Sequence, residues 1–104
     1  MGAVLTPWGS EEDLSEKSLE SIFRDEGLRP RWWSNGPGHL YGAHGHSYHK
    51  VLYCARGSIR FDLPASGESY ELCPGDRLDI PPGTQHSAVV GLEGVKCLEA
   101  ARSA

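Results

Sequence analysis

The fold is decided by residues 38–57, which read GHLYGAHGHSYHKVLYCARG, and residues 75–86, which read GDRLDIPPGTQH. As spacing patterns these stretches are G-x5-H-x-H-x3-K-x6-G and G-x5-P-x-G-x2-H. Glycine and proline separate short segments that are rich in valine, leucine, isoleucine and tyrosine. Short apolar segments between turn residues are typical of β-strands, so both stretches predict part of a β-rich domain.

The same pattern continues outside the two stretches, because glycine and proline recur about every eight to twelve residues after residue 30. This spacing predicts a β-barrel or a β-sandwich. We expect a hairpin turn at Arg56-Gly57 and further turns near residues 64–67, 74–75 and 81–83. The predicted strands are residues 31–34, 39–45, 49–55, 58–63, 69–73, 77–80, 85–91 and 94–100.

One helix is predicted near the N-terminus, over residues 11–26. Ser10 offers an N-cap hydroxyl, three acidic residues follow it, and Gly27 provides a stop. A narrow apolar stripe suits a helix that packs on the outside of the sheet. The residues of this stripe, spaced at i, i+3 and i+4, are Leu19, Ile22 and Phe23.

Composition limits the class of protein. The chain has 104 residues, enough for one domain with its own core, and its formal net charge of −4 argues against a nucleic-acid partner. No apolar stretch approaches a membrane span and no secretory signal is visible, so we expect no membrane partner and a cytoplasmic location. Three widely spaced cysteines predict small buried hydrophobic residues and no disulfide framework.

At nearly every defining position, the two spacing patterns resemble the two motifs of the cupin family. The resemblance is strongest to small stand-alone bacterial cupins of unassigned function, and it extends over residues 10–100. It implies an all-β, jelly-roll-like cupin barrel with one N-terminal helix. Residues 1–34 would form the helix and a lead-in strand packed on the barrel, and residues 35–104 would form the barrel. Because small cupins often pair, it also implies a homodimer.

A metal site is predicted from three histidines. Alternate residues of a strand share a face, so His44 and His46 can present two imidazoles to one cation. The resemblance places His86 on a neighbouring strand, which would complete the set. Three imidazoles suit a divalent first-row metal such as zinc, iron, manganese or nickel and leave positions open for a ligand.

Lys50 departs from the family pattern, because cupins usually carry a metal-binding glutamate at this position. An ammonium group beside a divalent cation is repelled. Lys50 would then be deprotonated by burial or turned towards an acidic partner, or His49 would take the missing ligand position. Strand parity turns His49 outward unless a turn at residues 47–48 resets it.

Three functions are compatible with these residues. The leading hypothesis is a metal-binding cupin that takes a small molecule in the barrel mouth, with Lys50 as a substrate-binding or acid/base group. A second is a metal-free isomerase or epimerase that uses histidine and Lys50 in proton transfer. A third is a non-catalytic barrel that only binds a small molecule. The sequence names neither the substrate nor the reaction.

Overall fold

The computed structural model describes residues 2–103. Seven strands and one helix occur in this part of the chain. In chain order they are β1 (Val4–Thr6), α1 (Glu16–Asp25), β2 (Arg31–Asn35), β3 (Leu40–His44), β4 (His49–Leu63), β5 (Glu68–Leu72), β6 (Arg77–Ile80) and β7 (His86–Arg102).

The strands form a single antiparallel sheet that curls around an inner core. The main path runs β1-β6-β4-β7-β2, while β3 also pairs with β7 and β5 with β4. The two longest strands, β4 and β7, lie side by side at the centre. The predicted all-β barrel with one helix is confirmed.

Each long strand was predicted as two strands, and that division was wrong. Arg56-Gly57 does not form a hairpin turn, because β4 continues through it with two shifts of register against β7. Gly57 has φ +74°, and a Cβ there would lie 1.9 Å from the carbonyl oxygen of Gly94. Glycine therefore marks a bulge at which two backbones meet closely.

The helix begins later than predicted. Ser15, and not Ser10, is the N-cap: its hydroxyl accepts from the Ser18 amide at 2.9 Å, and the Ser18 hydroxyl accepts from the Ser15 amide at 2.9 Å. This reciprocal capping box fixes the start of α1 at Glu16. The predicted stop is confirmed, since Gly27 follows the helix with φ +73°.

Alternation along β4 separates two cores. Leu52 and Cys54 point into the barrel, whereas Val51 and Tyr53 point outward beneath α1. Phe23 of α1 is 1% exposed and packs edge-on against Tyr53, with ring centroids 5.6 Å apart. The predicted outer position of the helix is therefore confirmed, and the inner face of β4 is left to build the core and a cavity.

The three cysteines differ in burial. Cys54 and Cys97 are buried as predicted, but Cys73 is exposed because it lies after β5 in a turn, where its amide donates to Asp76.

The predicted division of the chain into an N-terminal part, residues 1–34, and a barrel, residues 35–104, stays a prediction. Among the described residues, no helix has the length and apolar character needed to cross a membrane.

Candidate metal and ligand site

Three histidines meet at one end of the barrel. His44 closes β3, His46 follows in the β3–β4 connection, and His86 opens β7. His44 and His86 are direct partners in the register of β3 and β7, so pairing of the two strands brings their side chains together. One ligand atom from each of the three histidines lies within 4.8 Å of the others.

Backbone carbonyls orient two of the rings. The carbonyl of Gly42 accepts from His44 Nδ1 at 2.8 Å, and that of Thr84 accepts from His86 Nδ1 at 3.0 Å. Because a carbonyl oxygen only accepts, the proton of each neutral ring is on Nδ1 and the lone pair is on Nε2. Metal-binding histidines are commonly oriented by this kind of contact.

The third ring is held by stacking. His46 lies against Tyr48, with ring centroids 4.6 Å apart and an interplanar angle of 24°. Nε2 of His46 and Nε2 of His86 are buried, and neither has a hydrogen-bond partner within residues 2–103. A buried nitrogen without a partner is costly, so a cluster with two of them has the donor atoms that a cation would satisfy.

Burial keeps the rings of His46 and His86 neutral. Burial lowers the pKa of His86 to about 4. Burial also lowers the pKa of His46, with smaller contributions from Lys50 and His44. Both imidazoles are therefore uncharged near pH 7, the form in which imidazole binds metals. The donor set fits a divalent first-row metal.

Lys50 turns towards an acidic partner, one of the three alternatives raised by the sequence. Its side chain is 10% exposed, and Nζ lies 3.3 Å from Oε1 of Glu99, whose side chain is 13% exposed. The indole Nε1 of Trp33 donates to the same oxygen at 2.7 Å. Glu99 is thus fixed between a lysine and a tryptophan from two neighbouring strands.

Sequence reasoning missed Glu99. Its only local signal is parity, because Glu99 shares the inward face of β7 with Val95 and Cys97. An inward-facing carboxylate in an otherwise apolar strand indicates a partner, but the partner, Lys50, is 49 positions earlier in the chain. No spacing rule connects the two residues.

His49 does not join the cluster. Its Nε2 lies 2.9 Å from Oδ1 of Asp79 on the outer face, where Arg77 also binds Asp79. The β4 strand begins at His49, so Lys50 faces inward and His49 outward, as the parity argument predicts. The structure does not place His49 as a fourth ligand.

A cavity of about 300 Å³ opens beside the histidines. This is at the small end of ligand pockets, which run from about 300 to 1,000 Å³. The wall combines polar groups of the cluster with several aromatic rings. It is lined by Arg31, Trp33, Tyr41, His44, His46, Tyr48, Lys50, Ile59, Phe61, Ala88 and Glu99.

Solved structures share this fold. A protein from Thermotoga maritima of the family DUF861 aligns with a TM-score of 0.66 at 15% identity, over 96% of this chain and 99% of that one. An RmlC-like cupin from Shewanella frigidimarina aligns with a TM-score of 0.63 at 23% identity, over 74% and 67%. An oxalate decarboxylase from Bacillus subtilis, which has Mn(II) centres, aligns with a TM-score of 0.64 at 25% identity, over 73% of this chain and 21% of that one.

The family follows from the sequence. No curated protein matches the chain significantly. The sequence profile of the AraC-like ligand binding domain matches residues 34–96, which is more than half of the chain and includes His44, His46 and His86. The cupin neighbours confirm the resemblance predicted from the two motifs. The chain therefore belongs to the family of AraC-like ligand binding domains, built on a cupin-type barrel.

Proposed function

We propose that the protein binds a divalent metal ion through His44, His46 and His86, and a small molecule beside it in the barrel cavity. The observation that carries the proposal is the pair of buried, unpartnered Nε2 atoms in His46 and His86. Zinc, iron and nickel suit imidazole, and manganese is included because an oxalate decarboxylase of the same fold has Mn(II) centres. Such a metal would supply Lewis-acid polarisation of a ligand oxygen.

The chain's own residues would then bind and orient the small molecule. Lys50 lines the cavity, and its neighbour Glu99 is fixed by Trp33. This arrangement supports Lys50 as the group that binds the substrate or transfers a proton to it. The family description, a ligand binding domain, supports binding of a small molecule. Cytoplasmic location and a homodimer remain predictions from the sequence.

A metal-free function is the second candidate, and the ion pair of Lys50 with Glu99 favours it. A lysine and a carboxylate side by side, next to neutral histidines, can exchange protons with a bound molecule without a metal. In that case the protein would be an isomerase, an epimerase or a non-catalytic binder. Metal affinity separates this candidate from the first.

The test is a calorimetric titration of chelator-treated protein with Zn²⁺ and Mn²⁺. We expect one site per chain in the wild type. His46→Gln should weaken binding by about a hundredfold or more, since loss of a ligand should exceed the 10–100-fold cost of losing a supporting contact. The matched control is His49→Gln, which removes a histidine bound to Asp79 and should leave metal affinity unchanged.

Circular dichroism on each variant separates loss of a ligand from loss of fold. If folded wild-type protein binds neither metal, the first candidate is wrong and the metal-free function replaces it. If His49→Gln weakens binding as much as His46→Gln, the ligand assignment is wrong. Turnover on a substrate panel then distinguishes an enzyme from a binding protein.

A further inference from the structure

The charges of the cavity wall do not balance. Lys50 and Glu99 form an ion pair, so their opposite charges cancel. Arg31 lies at the rim, is exposed and makes no ion pair with any residue in the range 2–103. Among the arginine, lysine and glutamate side chains of the wall, namely Arg31, Lys50 and Glu99, one positive charge is in surplus. A cleft with charge of one sign favours a ligand of the other sign.

The two basic groups converge on Glu99. Arg31 and Glu99 are direct partners in the register of β2 and β7, and such partners have Cβ atoms about 4.5–5.5 Å apart. Lys50 reaches Glu99 from β4 on the other side. Within the described residues Glu99 makes one hydrogen bond, with Trp33, and one ion pair, with Lys50, and both involve Oε1. Arg31 makes no ion pair with Glu99 within residues 2–103, so its donors, and those of Lys50 that do not face Glu99, are available to a ligand.

The rest of the wall is suited to a flat or hydrocarbon group. The indole N–H of Trp33 donates to Glu99, and the hydroxyl of Tyr41 accepts from the side-chain amide of Asn35. These two rings meet edge-on, with centroids 5.7 Å apart, so they offer the cavity mainly carbon surface. Apolar side chains complete the wall, namely Ile59, Phe61 and Ala88.

From these observations we infer that the ligand is a small monocarboxylate with a flat or hydrocarbon body, whose carboxylate is bound by Arg31 and Lys50. The inference rests on the proposed function in taking this cavity as the binding site. One carboxylate balances the surplus charge of the side chains in the metal-free cavity, and guanidinium groups bind carboxylates through two parallel hydrogen bonds. A volume of about 300 Å³ equals about ten water molecules, so the ligand has on the order of ten to fifteen non-hydrogen atoms.

The test uses benzoate, benzamide and acetate as probes in NMR titrations of metal-free and zinc-loaded protein. Benzoate and benzamide have nearly the same shape and differ in charge, whereas acetate has the charge without the ring. We expect benzoate to bind at least tenfold more tightly than either, which is the scale of one charged hydrogen bond or of a buried ring. The indole signal of Trp33 should move on binding, because this ring lines the cavity.

Arg31→Gln should weaken the binding of benzoate at least tenfold and leave the affinity for benzamide unchanged. The matched control is Arg29→Gln. Arg29 is exposed and lies outside the cavity wall, and its replacement changes the net charge by the same amount. Equal affinities for benzoate and benzamide, or no benzoate binding, would overturn the inference. An equal loss in Arg29→Gln would also overturn it, since it would show only a long-range effect of charge.

Failure of the proposed metal site is distinguishable from failure of this inference. If benzoate is preferred in an Arg31-dependent way while zinc does not bind, the ligand class stands and the metal proposal is wrong. If zinc binds through the histidines while benzoate and benzamide bind equally, the metal proposal stands and the ligand class is wrong.

Discussion

Replacing Lys50 by methionine should destabilise the protein, because it leaves the Glu99 carboxylate buried without its cation. Methionine keeps the volume of the lysine stem and removes the charge. The two side chains are 10% and 13% exposed, and Nζ lies 3.3 Å from Oε1. After the change, Glu99 keeps only the hydrogen bond from Trp33.

The distance sets the magnitude. At 3.3 Å and an effective dielectric constant near 20, two unit charges attract by about 5 kcal/mol. Leaving a buried charge without its partner costs about 3–5 kcal/mol in measured cases. Because the cavity gives Glu99 some access to water, we expect a loss of about 2–3 kcal/mol in the free energy of unfolding.

The assay is a double-mutant cycle followed by urea denaturation. Glu99→Gln keeps an oxygen for the Trp33 indole and removes the charge. The double variant Lys50→Met/Glu99→Gln leaves no uncompensated charge, so it should lie within about 1 kcal/mol of wild type. The interaction energy of the pair should be about 2 kcal/mol.

A Lys50→Met variant as stable as wild type, with an interaction energy near zero, would refute this reasoning. It would mean that water screens the pair and that Lys50 does not belong to the cavity wall in solution. A double variant as unstable as Lys50→Met would be equally damaging, since it would attribute the loss to packing of the lysine stem and not to charge.

Two further predictions concern charge at the site and on the outer face. Lys50→Glu should bind Zn²⁺ about tenfold or more tightly than wild type, because an attractive charge replaces a repulsive one near the histidines; equal dissociation constants in a zinc titration would contradict this. Arg77→Gln should lose about 1–3 kcal/mol of stability at pH 6, since Arg77 binds both Glu26 and Asp79. The hydrogen bond from Arg77 lowers the pKa of Glu26, and burial raises the pKa of Asp79 but hydrogen bonds from Arg77 and His49 bring it below its usual value. Carboxyl groups with lowered pKa values stabilise the fold above their unfolded pKa of about 4, and this stabilisation is lost as the pH falls through the lower, folded values. The difference between wild type and Arg77→Gln in urea denaturation should therefore shrink between about pH 5 and pH 2, and a difference independent of pH would show that Arg77 does not act through these carboxylates.

Much of the fold and part of the site could be predicted from local rules. Strand parity predicted His44 and His46 on one side and His49 on the other, because successive side chains of a strand point in opposite directions. The side chains lie in this way, but His46 is in the β3–β4 connection and not in a strand, so parity does not account for its direction. The apolar spacing of Leu19 and Phe23 predicted a helix on the outer face for the same kind of reason. The position of His86 came from the family motif, and the register of β3 and β7 gives it a physical cause.

The tertiary structure decided the features that depend on pairing between distant segments. Gly57 looked like a hairpin turn, but the close approach of Gly94 makes it a bulge inside one long strand. Ser10 and Ser15 both suit an N-cap, and only the geometry with Ser18 chose between them.

The cavity wall shows the same limit most clearly. Lys50 was visible in the sequence as a lysine at the position where cupins usually carry a metal-binding glutamate. Its partner Glu99 and the rim residue Arg31 became neighbours only through the registers of β4, β7 and β2. Register is set by the packing of the whole sheet, since a shift of one residue would reverse every side chain between core and solvent. The sequence by itself therefore determined that the histidines and Lys50 are candidate site residues, and the assembled sheet determined that Glu99 and Arg31 meet them.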